Sequence, residues 1–293
     1  MHALQFLSVG AYTKDTIVSR AGVRYVHGGG YSYAAHAARV AGVSVAAITR
    51  LAHEDRHSTD LLREIGVEMI IHESPKSTLM RLEYPTDNVD ERILTVAEVS
   101  DPFRPEHVKD VSAQATLVSA SIRGEVPLEV IEALRERTQL LGVDVQGYVR
   151  VRTSEGRLAY EPWPEMAQVL ALVDVLKTDA VEAHFLTGES DILRAARKLA
   201  AFGPKEIVLT HKDGLLVLAE NAAHEQPFRP SELRGRSGRG DTCVGSYLSY
   251  RLCAGAAEAT LWAAALTSLK LEAEGPIRRT RAEVEDLIRR RYL

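Results

Sequence analysis

Short runs of β-type residues alternate with helical runs along most of this chain. The alternation limits the fold more than any other feature, because strands joined by helices pair in parallel and need helices on both faces of the sheet. We therefore predict an α/β fold with a mostly parallel central sheet. Ligands of such sheets bind beyond the carboxyl ends of the strands. The predicted strands are 6–10, 43–48, 67–71, 115–118, 143–145, 173–176, 206–210 and 215–218, and the predicted helices are 32–41, 60–65, 128–141, 191–202, 241–253 and 256–271.

Two stretches break the alternation, at about residues 12–27 and 77–98. Each contains β-type residues with polar punctuation, and Pro-Thr-Asp-Asn at 85–88 is typical of a turn. Together they predict a small sheet that stands off the main one. It could be a plain surface hairpin or a lid.

The composition excludes several classes of protein. Apolar residues make up 45% and charged residues 26% of the 293, which excludes a disordered chain or a collagen-like fibre. A net charge of −4 gives no field that would recruit nucleic acid or an anionic membrane. No apolar run reaches the roughly 18 residues of a membrane span. Cys243 and Cys253 would lie about 15 Å apart on one helix, too far for a disulfide, so we expect a cytoplasmic protein.

The strongest local motif is Gly238-Arg239-Gly240-Asp241, which opens a predicted helix. Glycines leave backbone N–H groups unobstructed, and the start of a helix carries a partial positive charge, so the motif suits an anion. Asp241 would either cap the helix or act as a base beside that anion.

Weaker motifs each have two interpretations. The glycines at 28–30 permit close approach of a ligand or form a flexible connection. His53 and His57 match the H-E-x-x-H zinc pattern, but they follow a predicted strand in a polar segment instead of lying on a helix. Asp179 and Glu182 could cap a helix or hold Mg²⁺ through water. The turn at 210–214 could be only a hairpin, and the segment at 144–150 only an exposed loop.

Taken in order, these motifs resemble the ribokinase family of carbohydrate and nucleoside kinases, also called the PfkB family. The resemblance covers nearly the whole chain. It implies a ribokinase-like three-layer sandwich with a mostly parallel central sheet, forming one catalytic domain over 1–293, with a β lid at about 12–27 and 77–98. The implied activity is ATP-dependent phosphorylation of a hydroxyl group, with Mg²⁺ as cofactor.

The resemblance also implies a role for each matched residue. Asp241 would be the catalytic base, and the anion hole would be formed by Gly238, Arg239 and Gly240. The acceptor would be bound by Asp15, Gly28, Gly29, Tyr33, Gln146 and Arg150. The nucleotide would be bound by Lys177, Thr210, Gly214, Ala264 and Ser268, and Mg²⁺ would be held through water by Asp179 and Glu182.

The departures from the family pattern favour one substrate class. Tyr33 stands where many members have asparagine, and together with 144–150 and Leu-Glu-Ala-Glu-Gly-Pro at 271–276 it is similar to a subgroup of myo-inositol kinases and archaeal nucleoside kinases. We expect a sugar or polyol such as myo-inositol as acceptor, with a nucleoside as the alternative.

Two other classes of function stay open. Arg239 and the shortened turn at 210–214 are compatible with a non-catalytic sugar- or nucleotide-binding protein on the same fold, and His53 with His57 would define a zinc hydrolase. We expect no nucleic-acid or membrane partner. A lid with an exposed edge could pair two copies into a homodimer.

Overall fold

The structure is a computed structural model that describes residues 4–20, 22–86 and 93–293. In chain order the strands are β1 (Phe6–Val9), β2 (Thr13–Ser19), β3 (Gly22–Gly28), β4 (Val45–Leu51), β5 (Glu68–Glu73), β6 (Thr78–Glu83), β7 (Ile93–Glu98), β8 (Ala113–Val118), β9 (Thr138–Asp144), β10 (Arg150–Arg152), β11 (Leu158–Tyr160), β12 (Val175–Asp179), β13 (Glu206–Thr210), β14 (Gly214–Ala219) and β15 (Ala222–Pro227). The helices are α1 (Gly30–Ala41), α2 (Asp60–Glu64), α3 (Leu128–Arg135), α4 (Gln146–Val149), α5 (Met166–Leu172), α6 (Ala180–Thr187), α7 (Ile192–Ala200), α8 (Arg239–Arg251), α9 (Ala256–Leu271) and α10 (Arg281–Arg291). His53–Thr59 and Pro105–His107 are 3₁₀ turns.

The central sheet has the strand order β15-β14-β13-β12-β9-β8-β1-β4-β5. The strands from β13 to β5 in this order are parallel, and the hairpin of β14 and β15 adds two antiparallel pairings at one edge. The predicted α/β fold with a mostly parallel sheet is confirmed.

Side chains of the strands alternate between two hydrophobic layers, as the period of two in a strand requires. In β1, Leu7 and Val9 belong to the layer that packs against α3, α5 and α7, whereas Phe6 packs on the opposite side against α1, α8 and α9. α10 packs outside α9. α1 and α8 approach closely, because a Cβ on Gly245 of α8 would lie 2.6 Å from Ala34 Cα. The backbones of α1 and α8 are therefore in close contact.

The predicted helix at 128–141 is wrong in its second half. The helix α3 ends at Arg135, and Thr138–Asp144 forms β9 between β8 and β12. The predicted strand at 143–145 covered only the end of β9. No glycine or proline lies between Leu128 and Thr138 to mark the end of the helix. The helical pattern therefore continued into residues that tertiary pairing places in the sheet. The short elements β10, β11, β15, α5 and α6 were also not predicted.

A second small sheet, which we call the lid, has the strand order β3-β2-β6-β7 and is confirmed as a separate sheet. β2 pairs in parallel with β6, and the outer pairings are antiparallel. The hairpin of β10 and β11 reaches it, since Arg152 Nε donates to Val96 O at 2.7 Å. The predicted turn at 85–88 lies partly outside the described residues. The outer strand β3 is exposed, with 77% of Tyr25 accessible, and the homodimer stays a prediction.

Within the described ranges, no helix is long and apolar enough to cross a membrane. Cys243 is buried, Cys253 is exposed, and both are free thiols.

Candidate active site

A cavity of about 480 Å³ lies between the lid and the carboxyl edge of the parallel strands. This is the edge at which the α/β architecture predicts a ligand site. Many of the predicted site residues meet there although they are far apart in sequence. Those that line the cavity are Asp15, Gly29, Tyr33, Gln146, Arg150, Lys177, Asp179, Thr210, Gly238, Arg239, Gly240 and Asp241.

The turn before α8 forms the floor of the cavity. Gly238 caps the helix with a φ of 74°, a left-handed conformation that favours glycine. The first turn of a helix leaves backbone N–H groups without intrahelical acceptors. The Arg239 N–H already donates to Arg236 O at 3.1 Å, so the amides of Gly238 and Gly240 are the better candidates for binding an anion.

Asp241 lies in the first turn of α8 and packs against the start of α1. A Cβ on Gly30 would lie 3.1 Å from Asp241 Cγ and closer still to its Oδ1. Burial raises the pKa of the Asp241 carboxyl, while the neighbouring Lys177 opposes this rise. A carboxylate with a raised pKa accepts a proton more readily, which suits a general base.

Lys177 belongs to a buried cluster of charges near Asp241. Its Nζ lies 3.2 Å from Asp144 Oδ2 and 4.0 Å from Glu182 Oε2, and a Cβ on Gly240 would lie 2.7 Å from the same Nζ. Burial alone would lower the pKa of Lys177, but Asp144 and Glu182 reverse this, so its pKa is raised. The ammonium group is therefore a permanent positive charge beside the anion-binding turn.

Asp179 and Glu182 form the capping box of α6. The Glu182 N–H donates to Asp179 Oδ1 at 2.8 Å, and the Asp179 N–H donates to Glu182 Oε2 at 2.9 Å. Glu182 is wholly buried, with Arg150 3.6 Å from its Oε1, so it does not face the cavity. Asp179 does line the cavity. The donor set fits Mg²⁺ held through water by Asp179 together with phosphate oxygens of a donor, which is how this ion binds in many phosphoryl-transfer sites.

Asp15 of β2 and the underside of the lid form the other half of the cavity. Burial raises the pKa of Asp15 to about 6, and its Oδ1 is buried without a hydrogen-bond partner among the described residues. Leu82 and Leu94 are opposite each other in the pairing of β6 and β7, and both line the cavity. The lid therefore presents a carboxylate and apolar side chains to the cavity on the same face.

Five predicted residues do not line the cavity: Gly28, Glu182, Gly214, Ala264 and Ser268. Ala264 and Ser268 are fully buried in α9. Ser268 Oγ accepts a hydrogen bond from Arg229 N at 2.8 Å, donates to Ala264 O at 2.7 Å, and lies 2.9 Å from the hydroxyl of Tyr292. Neither side chain is therefore exposed to a ligand in this structure, and the nucleotide site near them stays a prediction.

The histidines of the zinc pattern lie on a 3₁₀ turn instead of an α-helix. His53 Nδ1 contacts Glu73, and His57 Nδ1 contacts the backbone of Glu54. Over the described part of the chain, no three histidine, cysteine or acidic side chains form a group that could hold a metal ion.

Sequence reasoning missed the cationic residues that complete the cavity. Lys212 and Arg236 line it beside Arg239. Lys212 lies within the turn at 210–214 and could have been found from that motif. Arg236 precedes the glycine motif by two residues, and no sequence pattern singled it out.

A buried carboxylate, a helix start with available backbone N–H groups and a small sheet over a polar cavity suit the transfer of a phosphoryl group to an alcohol. Residues 4–282 match the pfkB family of carbohydrate kinases. The chain belongs to that family and is a carbohydrate kinase.

Solved structures agree with this membership. A pyrophosphate-dependent kinase in the ribokinase family, complexed with a pyrophosphate analogue and myo-inositol, is 31% identical with a TM-score of 0.88, over 96% of this chain and 100% of that one. A pyrophosphate-dependent myo-inositol-1 kinase, converted into a myo-inositol-3 kinase by two substitutions to leucine, is 31% identical with a TM-score of 0.88, over 99% and 100%. Ribokinase from Arabidopsis thaliana with ribose and ATP shares the fold at 17% identity, with a TM-score of 0.74 over 98% and 99%. No curated protein matches this chain.

Proposed function

We propose that this protein transfers a phosphoryl group from pyrophosphate to a hydroxyl group of a small polyol of the myo-inositol class. The position of Asp241 carries the proposal. This carboxylate stands between the half of the cavity under the lid and the turn that would bind the phosphoryl group. The 31% identity to a kinase solved with a pyrophosphate analogue and myo-inositol supports the same donor and acceptor.

In the proposed reaction, Asp241 accepts the proton of the acceptor hydroxyl. The acceptor oxygen forms a bond to the terminal phosphorus as the bridging P–O bond breaks, and orthophosphate leaves. The amides of Gly238 and Gly240 and the ammonium of Lys177 stabilise the charge on the migrating group. Mg²⁺, held through water by Asp179, would neutralise charge on the donor phosphates when bound.

The region near α9 supports pyrophosphate over ATP. Adenine would need an apolar slot beside Ala264 and Ser268, but both residues are fully buried, and Ser268 is hydrogen-bonded to Arg229 and close to the hydroxyl of Tyr292. The part of the cavity near α8 is instead lined by Lys177, Lys212, Arg236 and Arg239. A concentration of cationic side chains suits a compact anion of high charge.

The acceptor half supports a cyclic polyol. A cyclitol has an apolar C–H face, which fits beneath Leu82 and Leu94, and hydroxyl groups that can donate to the unpartnered Asp15 Oδ1. A nucleoside is the second candidate for the acceptor, because the ring of Tyr33 offers an aromatic face in the cavity.

The test measures phosphorylated product by mass spectrometry, with magnesium pyrophosphate or MgATP as donor. Each donor is offered myo-inositol, ribose, fructose, adenosine, cytidine or no acceptor. We expect product from pyrophosphate and myo-inositol. Asp241→Asn should lower kcat by about 10³-fold, because the base is lost while its shape is kept. The control is Asp110→Asn, an exposed change outside the cavity, which should leave kcat unchanged.

Each part of the proposal has its own contrary result. Near-normal turnover by Asp241→Asn would show that Asp241 is not the catalytic base. Product formed with ATP but not with pyrophosphate would refute the proposed donor. Product formed only with nucleosides would refute the proposed acceptor. Binding of pyrophosphate or a polyol with no product from any pair would instead define a non-catalytic binding protein.

A further inference from the structure

Lys270 is a buried lysine in the otherwise apolar end of α9. Only 1% of the residue is exposed, and its Nζ donates to Gly235 O at 2.7 Å. The same Nζ lies 5.7 Å from the centre of the Tyr33 ring, within the range of a cation–π interaction. Burying an ammonium group costs free energy unless partners compensate it. Of its two partners, Tyr33 lines the candidate active-site cavity, and Gly235 directly precedes Arg236, which also lines it.

Gly235 begins the turn that leads into the anion-binding motif. The backbone N–H groups of Arg234 and Gly235 donate to Leu271 O at 2.9 and 3.1 Å, so the start of the turn is tied to the end of α9. The backbone of Gly235 also packs directly on Ala273. Lys270 therefore adds a third attachment, from the side chain, to the same point.

Tyr33 holds the other end of the turn. Its ring packs directly on Gly238, where a Cβ would overlap the ring carbons. Lys270 thus donates a hydrogen bond to Gly235, the first residue of the segment 235–238. Its charge also lies near the ring of Tyr33, which packs on Gly238, the last residue of that segment. Gly238, in its left-handed conformation, caps α8.

We propose that Lys270 is a positioning residue for phosphoryl transfer, whose ammonium group fixes the turn 235–238 and keeps a positive charge behind the anion-binding amides. The reaction it would serve is the one given under the proposed function, so this inference rests on it. Lys270 contacts neither donor nor acceptor in this role. It acts through Gly235 and Tyr33.

The charge of Lys270 is sensitive to pH. Burial lowers the pKa of Lys270 to about 8, although Asp241 opposes the fall and Arg239 adds to it. The ammonium form therefore predominates near neutral pH and is lost as the pH rises through about 8. The other titratable or charged groups around the same space are Tyr33 from α1, Asp15, Arg20, Arg24 and Tyr84 from the lid and its loops, and Arg234, Arg236 and Glu274 from the loops beside α8 and α9.

The contribution of Lys270 to the stability of the fold changes with pH in the opposite direction to the expected activity. Between about pH 8 and the ordinary lysine pKa, the unfolded chain binds more protons at Lys270 than the folded one. The contribution of this group to the free energy of unfolding therefore rises with pH. A loss of activity above pH 8 through Lys270 would not be a loss of folded protein.

The experiment compares the wild type with Lys270→Met, Lys270→Arg and the control Lys205→Met. Lys205 is 81% exposed and pairs with Asp174, at the edge of the sheet away from the cavity. Amide hydrogen exchange of residues 235–240 reports the order of the turn. Steady-state kinetics from pH 6.5 to 9.5 give kcat and the KM of both substrates.

In Lys270→Met we expect faster amide exchange at residues 235–240. We also expect kcat to fall by about 10²-fold, the effect of misplacing reacting groups by about 1 Å. The KM of the acceptor should change little. Wild-type kcat should fall above pH 8, and Lys270→Arg should hold its activity there because arginine stays charged. Unchanged exchange and kcat in Lys270→Met would overturn the proposal. If Lys270→Met does not fold, a wild-type kcat that stays flat to pH 9.5 would overturn it.

The exchange measurement separates this inference from the proposed function. If the wild type turns over no donor and acceptor pair, the proposed function fails. Exchange at 235–240 in Lys270→Met, measured against Lys205→Met, then still decides whether Lys270 positions the turn.

Discussion

Replacing Gly30 with alanine tests whether the placement of Asp241 governs the activity. Gly30 is the first residue of α1, and it has no left-handed backbone angle that alanine would strain. An added Cβ would lie 2.8 Å from Ser119 Cβ and 3.1 Å from Asp241 Cγ, with Oδ1 closer still. Ordinary van der Waals contact begins at 3.4 Å. The carboxylate must therefore move away from α1.

The required movement sets the size of the effect. A retreat of the carboxylate by about 1 Å should lower kcat by about 10²-fold, which corresponds to about 2.7 kcal/mol of barrier. Alanine is favoured over glycine in a helix by about 0.5–1 kcal/mol, which offsets part of the local strain. The free energy of unfolding should therefore change much less than the barrier.

The assay measures kcat with the donor and acceptor proposed above, alongside urea unfolding of the same preparation. Gly255→Ala is the matched control, since no atom lies within 4 Å of its added Cβ and its φ is an ordinary −69°. A Gly30→Ala protein that is stable and fully active would refute the reasoning, because Asp241 would then tolerate displacement. Equal losses of activity and stability would point to general damage to α1 instead.

Two further predictions concern separate parts of the molecule. Because the pKa of Asp15 is raised to about 6, its carboxylate protonates as the pH falls below 6. The KM of the acceptor should rise below that pH and lose this dependence in Asp15→Asn, as measured by acceptor titrations from pH 5 to 8; a wild-type KM that is flat over this range would count against Asp15 as an acceptor ligand. Glu206 accepts hydrogen bonds from Tyr247 at 2.6 Å and Arg251 at 2.7 Å. Glu206→Gln should lower the free energy of unfolding by about 2 kcal/mol with kcat preserved, and an unchanged urea midpoint would contradict this.

The central sheet could be predicted because its signal is local. β4 is buried along its whole length, and a buried apolar run between polar segments indicates a parallel strand. The boundary between α3 and β9 could not be predicted, since Thr138–Asp144 becomes a strand only through pairing with β8 and β12 on either side. Propensity within residues 128–141 favours neither outcome strongly enough to reveal the change.

Parts of the candidate site could likewise be predicted from the sequence, and other parts could not. The glycines and the carboxylate of 238–241 follow each other in the chain, so their motif is visible without the fold. The seal over Ser268 is not visible, because it joins residues of α9 to Arg229 and to Tyr292, which lie 39 and 24 positions away. Contacts between distant segments of this kind, on which the proposed donor rests, cannot be inferred from a local motif.

Lys270 marks the point where sequence reasoning could have gone further. A single lysine at the end of the apolar run of α9 breaks the pattern of a buried helix, and such a break needs either solvent or a buried partner. The carbonyl of the next residue, Leu271, accepts from the backbone N–H groups of Arg234 and Gly235. The carbonyl that accepts from Lys270 belongs to Gly235, three residues before the cap of α8, and only the fold identifies it. An isolated charge in a buried helix thus indicates that a polar partner must come from another segment of the chain.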